Sequence, residues 1–307
     1  MGLGLGISVD WASLVPYYAQ VASAFKARVE ADGGTVESMS CLKKDLKVLN
    51  PVKPPAVDAD YQAILDRSAA LGYTAPSAAQ QTLQNTLVTD LKTAGVWDKL
   101  DVFYVFATDG DSDYATLNWK APSSFRATKV SSPTFTPNQG FNGDGASSYL
   151  NTNWSLANDS VNFTETNASM GAWFGVDSPA GYKMGARDGF NNNMSVLYTT
   201  SGTNGLFRLN CDSTTIANEF TSASALHHDN RNGASSGTRF LDGSQTNVSL
   251  GESDPLSTSN MYIGAVNELD TAKFFTLSNF SIVFAGADLT SEGSDVYDAL
   301  NTYMTAL

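Results

Sequence analysis

Only 16% of the 307 residues are charged, and no run of about 18 apolar residues occurs, so no helical membrane span is expected. Aromatic residues make up 11%. That content, with so little charge, excludes a disordered chain. There are two histidines and two cysteines. Cys41 and Cys211 lie far apart in unlike contexts, so two free, mostly buried thiols are expected, with a single disulfide as the other option. The histidines, His227 and His228, are neighbours. On a strand they point to opposite faces and do not form one site. No G-x-S-x-G, H-E-x-x-H or phosphate-loop Gly-Lys-Ser/Thr motif is present. The first residues, MGLGLGISVDWASL, lack a basic region and a long apolar run, so no signal peptide is read there and synthesis in a cytoplasm is expected. The Gly-rich start reads as an extended arm.

Net charge is −13, and the excess is uneven. Residues 1–108 hold 9 Lys and Arg against 11 Asp and Glu; the remainder holds 9 against 20. An acidic C-terminal part repels phosphate backbones, so nucleic acid is not an expected partner. Asn, Ser, Thr and Gly are plentiful instead, the palette of a β-rich chain with many turns. They generate seven N-x-S/T sequons, at Asn153, Asn158, Asn162, Asn167, Asn193, Asn247 and Asn279, which without a secretory signal reflect composition.

The first hundred residues read as helical. Tyr18, Val21, Phe25 and Val29 recur at helical spacing, and Leu42 and Leu46 lie one turn apart. A third helix follows Asp58, with Tyr61, Leu65 and Leu71. A fourth follows Pro76-Ser77, with Leu83, Leu87 and Leu91, and stops at Gly95. The texture then changes. DVFYVFA, SYLNT, SMGAWFGV, MSVLYTT, LFRLN, TRFLDGSQTNVSL, NMYIGAV and FTLSNFSIVFA read as strands, with Asp242-Gly243 as a hairpin turn. Phe280, Ile282 and Phe284 are expected on one face. The chain closes with a helix whose stripe is Val296, Leu300, Tyr303 and Leu307. The expected fold is therefore mainly β: an antiparallel jelly-roll sandwich, preceded by a small helical module over 1–108 and spanning 109–307, closed by a C-terminal helix.

Four pieces in order, QGFNGDGASSYLNTN, ASMGAWFGV, TRFLDGSQTNV and NMYIGA with FTLSNFSIVFAGADLTSEGSDVYDAL, make residues 139–298 resemble the concanavalin A-like, laminin-G-type jelly roll. SAFKARVEADGGTVES, LVTDLKTAGVWDKLDVFYVFA and ATLNWKAP make the whole chain similar to structural proteins of tailed phages with Bacteroidetes-type or marine hosts. The resemblance implies a virion protein: a capsid decoration, head-fibre or tail-fibre subunit for assembly and surface presentation, with adhesion to host glycans. It implies a homo-oligomer, a trimer favoured, with other virion proteins as partners and a helical module for attachment. A stand-alone carbohydrate-binding lectin and a glycoside hydrolase of the same fold are the alternatives.

Three chemistries bear on particular residues. Hydrolases of this fold use an E-x-D-x-x-E strand. Here Glu268-Leu269-Asp270-Thr271-Ala272-Lys273 ends in Lys, so no catalytic residue is assigned and no enzyme is expected. Asp109, Asp111 and Asp113 alternate as in a calcium loop, but Tyr114 and Lys120 fall where Gly and Glu belong. No cofactor is assigned; calcium on these three is the minority reading, and a polar turn between FYVF and LNW strands the main one. For glycans, Trp154, Tyr182, Phe190 and Tyr198 sit among Asn and Asp, whereas Trp173 reads as core. No single binding residue is fixed by sequence.

Overall fold

The protein is described from a computed structural model over residues 57–176, 182–189, 193–198, 205–211, 214–216 and 225–307. Two compact units divide it, Met1–Ala56 and Val57–Leu307. The first unit, with the helices expected near Tyr18 and Leu42, the arm and Cys41, lies outside the described residues.

Asp58 caps helix α1 (Ala59–Leu71) by accepting from the Asp60 N–H at 2.9 Å, and Gly72, at φ 74°, ends it in the left-handed conformation that glycine adopts without strain. Lys92 pairs with both Asp58 and Asp60 at 2.6 Å, fixing the start of α1 to the end of α2 (Ala78–Thr93), whose own cap is Ser77. Among the described residues seventeen strands follow. In chain order they are β1 (Leu100–Val105), β2 (Thr128–Val130), β3 (Thr134–Thr136), β4 (Gly140–Asn142), β5 (Tyr149–Ser155), β6 (Ala168–Val176), β7 (Tyr182–Arg187), β8 (Ser195–Tyr198) and β9 (Gly205–Leu209). After these come β10 (Thr214–Ile216), β11 (Leu226–Arg231), β12 (Ser236–Leu241), β13 (Ser244–Ser249), β14 (Asn260–Ile263), β15 (Val266–Glu268), β16 (Thr271–Lys273) and β17 (Asn279–Gly286). Helix α3 (Gly293–Thr305) closes the chain.

The strands form two sheets. The first runs β13-β12-β11-β6-β17-β4-β3, with β1 also on β17; the second runs β10-β9-β8-β7-β14-β5-β2, with β15 on β7 and β16 on β15. Every ladder is antiparallel except β15 with β7. This is the expected mainly β jelly-roll sandwich with a closing helix. Asp242 and Gly243, at φ 47° and 79°, make the β12–β13 turn as their chemistry predicts.

Alternation along β1 shows how two cores arise. Val102 and Tyr104 point between the sheets, toward Trp154, Met170, Phe207 and Met261. Phe103 and Val105 point outward, under Ile64, Leu87, Leu91, Leu300 and Tyr303 of the three helices. Each fully buried large apolar side chain contributes about 1.5–3 kcal/mol. The helices therefore roof the first sheet, while on the outer face of the second sheet Tyr182, Val196 and Val266, with Tyr198 packed against them, form a small cluster of their own. The boundary expected at 108/109 falls inside this unit, because β1 pairs with β17 along Leu100–Val105 and the helices share its core.

Two local expectations change. Phe280 does not share a face with Ile282 and Phe284. A bulge between Phe280 and Ile282 turns Phe280 into the inter-sheet core, while the other two face the helices. Leu117-Asn118-Trp119 is no strand. It is a buried loop whose Trp119 N–H donates to Phe103 O at 2.8 Å.

Candidate functional site

The aromatic candidates separate by strand parity. Trp154 is fully buried between the sheets, edge-on to Phe163, and Phe190 lies outside the described residues. Trp173 is core as expected, stacked on Tyr297 under the helical roof. Tyr182 and Tyr198 come together. They are register partners on β7 and β8, at 4.9 Å and nearly perpendicular, on the outer face of the second sheet.

A bulge builds this face. The β7–β8 register shifts between Tyr182 and Met184, so Met184 enters the inter-sheet core while Tyr182 stays outside. Gly185 permits the close approach: at φ +134°, a Cβ there would lie 2.2 Å from Ser195 O. Outward positions of β7 and β9 then bring Arg187 and Arg208 to the tyrosine. The Tyr182 hydroxyl accepts from Arg187 Nη1 at 3.0 Å and from Arg208 Nη1. The Arg208 guanidinium lies 5.0 Å from the Tyr182 ring centre and 4.8 Å from that of Tyr198.

The β15–β16 hairpin folds over one side. Its turn residues, Leu269 and Asp270, both have positive φ, 50° and 62°. Phe274, just beyond the hairpin, also has positive φ, 56°, which is uncommon for a bulky residue. It lies 4.7 Å from Tyr182 and 4.6 Å from the Arg187 guanidinium, yet is 47% exposed. Backbone held in so unfavourable a region concentrates at binding sites. The aromatic surface continues across β14 and β5, where Tyr262 and Tyr149 pack at 4.5 Å and Tyr149 meets Phe275 at 6.2 Å. Burial, reinforced by Tyr149, pushes the Tyr262 phenol up to about 12.

Glu268 ends β15 and faces this site. Its Oε2 accepts from Arg187 Nε at 2.7 Å and Nη2 at 2.5 Å, and its Oε1 pairs with Lys273 Nζ. The hydrogen bond from Lys273, with that from Arg187, holds its carboxyl below the usual range. Asp270 sits in the hairpin turn. Sequence reasoning named the two tyrosines but missed Arg187, Arg208 and Phe274. The alternation of YKMGAR and FRL places both arginines at outward strand positions, but their meeting depends on the bulge.

Elsewhere, His227 points between the sheets and His228 toward the helical roof, against Phe240 and Phe284. Cys211 is a free, buried thiol, and burial pushes it up to about 12. Asp109 Oδ1 accepts from Ser77 N at 2.9 Å. Asp111 accepts from Thr74, Asp113 and Tyr114 N–H groups, and Asp113 pairs with Lys129 at 2.8 Å. Among the described residues no three His, Cys, Asp or Glu side chains group as a metal site, and no helix is long and apolar enough to cross a membrane.

No family model and no curated protein matches the chain. Among solved structures it is similar to the botulinum neurotoxin serotype D binding domain, at 9% identity and TM-score 0.43 over 66% of this chain and 52% of that one. It is also similar to a Trypanosoma rangeli sialidase mutant displaying trans-sialidase activity, at 13% identity and TM-score 0.40 over 74% and 40%. A third likeness is to a NanB sialidase mutant from Streptococcus pneumoniae, at 11% identity and TM-score 0.34 over 46% and 26%. The chain spans about half the length of the toxin binding domain it matches. Identity this low carries no ligand and no reaction across to this chain.

Proposed function

We propose that this protein is a surface-presented structural subunit of a tailed-phage particle that adheres to glycans through the outer face of its second sheet, without catalysis. The observation that carries the adhesion is the aromatic–arginine cluster. The rings of Tyr182, Tyr198 and Phe274 surround the guanidinium groups of Arg187 and Arg208, with Phe274 half exposed. A pyranose presents an apolar C–H face, which stacks on such rings, and hydroxyls, which accept from planar N–H donors. The particle setting rests on the three sequence segments that resemble tailed-phage structural proteins. In that setting copies of the chain assemble as homo-oligomers, and several weak sites held together multiply avidity. Catalysis is not part of the reading. An acid/base carboxyl needs a raised pKa, whereas Glu268 is ion-paired twice and lowered.

A glycan array with the wild-type chain and Phe274→Ala tests the adhesion. Saturable binding that falls about tenfold or more in the variant, equivalent to about 1.4 kcal/mol, is expected with an unchanged Tm. Absence of binding to any glycan defeats it. Mass spectrometry of purified particles tests the setting: a fixed copy number is expected, and absence from particles removes the structural role. Incubation with polysaccharides is expected to release no reducing ends.

A further inference from the structure

The adhesion face carries a charge opposite to that of the chain. The protein as a whole is at −13. Among the described residues of this face three cations, Arg187, Arg208 and Lys273, meet two carboxylates, Glu268 and, in the hairpin turn toward Tyr262, Asp270. Glu268 is already divided, one oxygen to Arg187 and the other to Lys273. Arg208 has no carboxylate partner among the described residues. It is 8% exposed, donates through Nη1 to the Tyr182 hydroxyl, and its Nε is buried without a hydrogen-bond partner.

That arrangement is incomplete in a specific way. Tyr182 and Tyr198 attract the guanidinium through their ring faces. Ring faces do not satisfy in-plane N–H donors, and a buried cation with unmade donors carries a desolvation cost. A neutral sugar stacks on Phe274 but leaves the excess positive charge. A carboxylate balances the charge of the cluster and, because Nη1 is given to the Tyr182 hydroxyl and Nε is enclosed, meets the guanidinium at the part that its 8% exposure leaves open. Lys273, whose side chain is 45% exposed and pairs with Glu268, precedes Phe274 in the chain and supplies the exposed cation of the cluster.

We infer that the ligand is an acidic glycan, one whose sugar carries a carboxylate, with its ring on Phe274 and its carboxylate directed to Arg208 and Lys273. This rests on the adhesion reading of the same face. The test uses the full chain with two acidic probes, oligogalacturonate and sialyllactose. Methyl-esterified oligogalacturonate and lactose are their uncharged counterparts. Calorimetric titration is expected to show at least one acidic probe binding about tenfold or more tighter than its counterpart. Arg208→Gln abolishes that preference, and Arg208→Lys restores part of it. Lys273→Gln, on an exposed side chain, reduces it several-fold with unchanged Tm, and decides the matter alone should Arg208→Gln fail to fold. Equal binding of charged and uncharged probes overturns the inference and leaves the adhesion reading standing, as does a preference that survives in the folded variants. Failure of every probe, charged and neutral, overturns both.

Discussion

Asp229 and Arg239 face each other across β11 and β12, and their side chains form a two-pronged ion pair with both ends fully buried. Arg239 Nε reaches Asp229 Oδ1 at 2.6 Å and Nη2 reaches Oδ2 at 2.7 Å. The same Nη2 donates to Leu206 O at 2.7 Å and Tyr198 O at 3.1 Å. One side chain thus ties the first sheet to β8 and β9, directly beneath Tyr198. Removing one partner leaves a buried charge uncompensated, so Asp229→Ala is expected to cost about 3–5 kcal/mol. Asp229→Leu combined with Arg239→Met is expected to cost much less than the two single changes summed. Urea unfolding of the four proteins measures it, and additive losses would show the pair is not coupled.

A second buried hub holds the helical roof. Gln84 Oε1 accepts from the Tyr61 hydroxyl at 2.9 Å and the Tyr114 hydroxyl at 2.8 Å. Its Nε2 donates to Thr108 Oγ1 at 3.1 Å and the Tyr303 hydroxyl at 3.2 Å. Only an amide both accepts and donates in this way. Gln84→Leu takes the acceptor from the Tyr61 and Tyr114 hydroxyls at about 1–3 kcal/mol each, while Tyr303 keeps Ala107 O and Thr108 keeps Gln80. A drop in Tm of many degrees is expected, larger than for Thr82→Ala on the same helix's exposed side. Equal drops would remove the hub from the account.

These two networks mark where sequence patterns lose legibility. Helices α1, α2 and α3 and the β12–β13 hairpin were readable because caps, apolar spacing and Asp-Gly turn chemistry are local signals. Strand β11, LHHDNR, carries no apolar alternation, yet every residue is buried. Three of its polar side chains are answered by partners on other elements, whereas ring nitrogens of His227 and His228 are buried without a hydrogen bond. Asp229 meets Arg239, Arg231 donates to Asn210 O and Gly251 O, and Asn230 accepts from Leu289 N. Gln80, Gln84 and Asn85 likewise read as the wet side of α2 and are buried. At the candidate site, Tyr182 and Tyr198 were legible as aromatics among polar residues. Arg187 and Arg208 were not, because a bulge between Tyr182 and Met184, which no periodicity announces, decides what meets Tyr182.

The two histidines set an acid limit. Burial holds both rings below the usual 6.5, His228 down to about 3 and His227 well below its ordinary value. Above pH 6.5 both are neutral folded and unfolded, so they add no pH dependence. Below it the unfolded chain binds protons that the folded one refuses, and stability falls. The slope approaches about 1.4 kcal/mol per pH unit for each ring, and for His228 the loss stops near pH 3. Urea midpoints are expected to decline from pH 6.5 to pH 5. His228→Leu is expected to flatten that decline by about half. An unchanged slope in the variant would assign the decline to carboxylates.

Asp111 works at lower pH and in a different place. Burial raises its carboxyl, but the N–H groups of Tyr114 and Thr74 outweigh burial and hold it below the usual value. The depressed folded pKa means its contribution is present above about 3.8 and lost as pH falls further. The carboxylate ties residue 111 to the α1–α2 connection, so Asp111→Ala is expected to cost about 1–3 kcal/mol. The same geometry bears on the alternating aspartates as a calcium loop. Asp109 is turned to Ser77 N, Asp111 to three N–H groups and Asp113 to Lys129. N–H groups and an ammonium compete for the same oxygens a cation would need. Chelator is therefore expected to leave Tm unchanged, and added calcium to raise it no more than added magnesium. A calcium-specific rise, lost in Asp111→Asn, would show that the loop exchanges these donors for a metal.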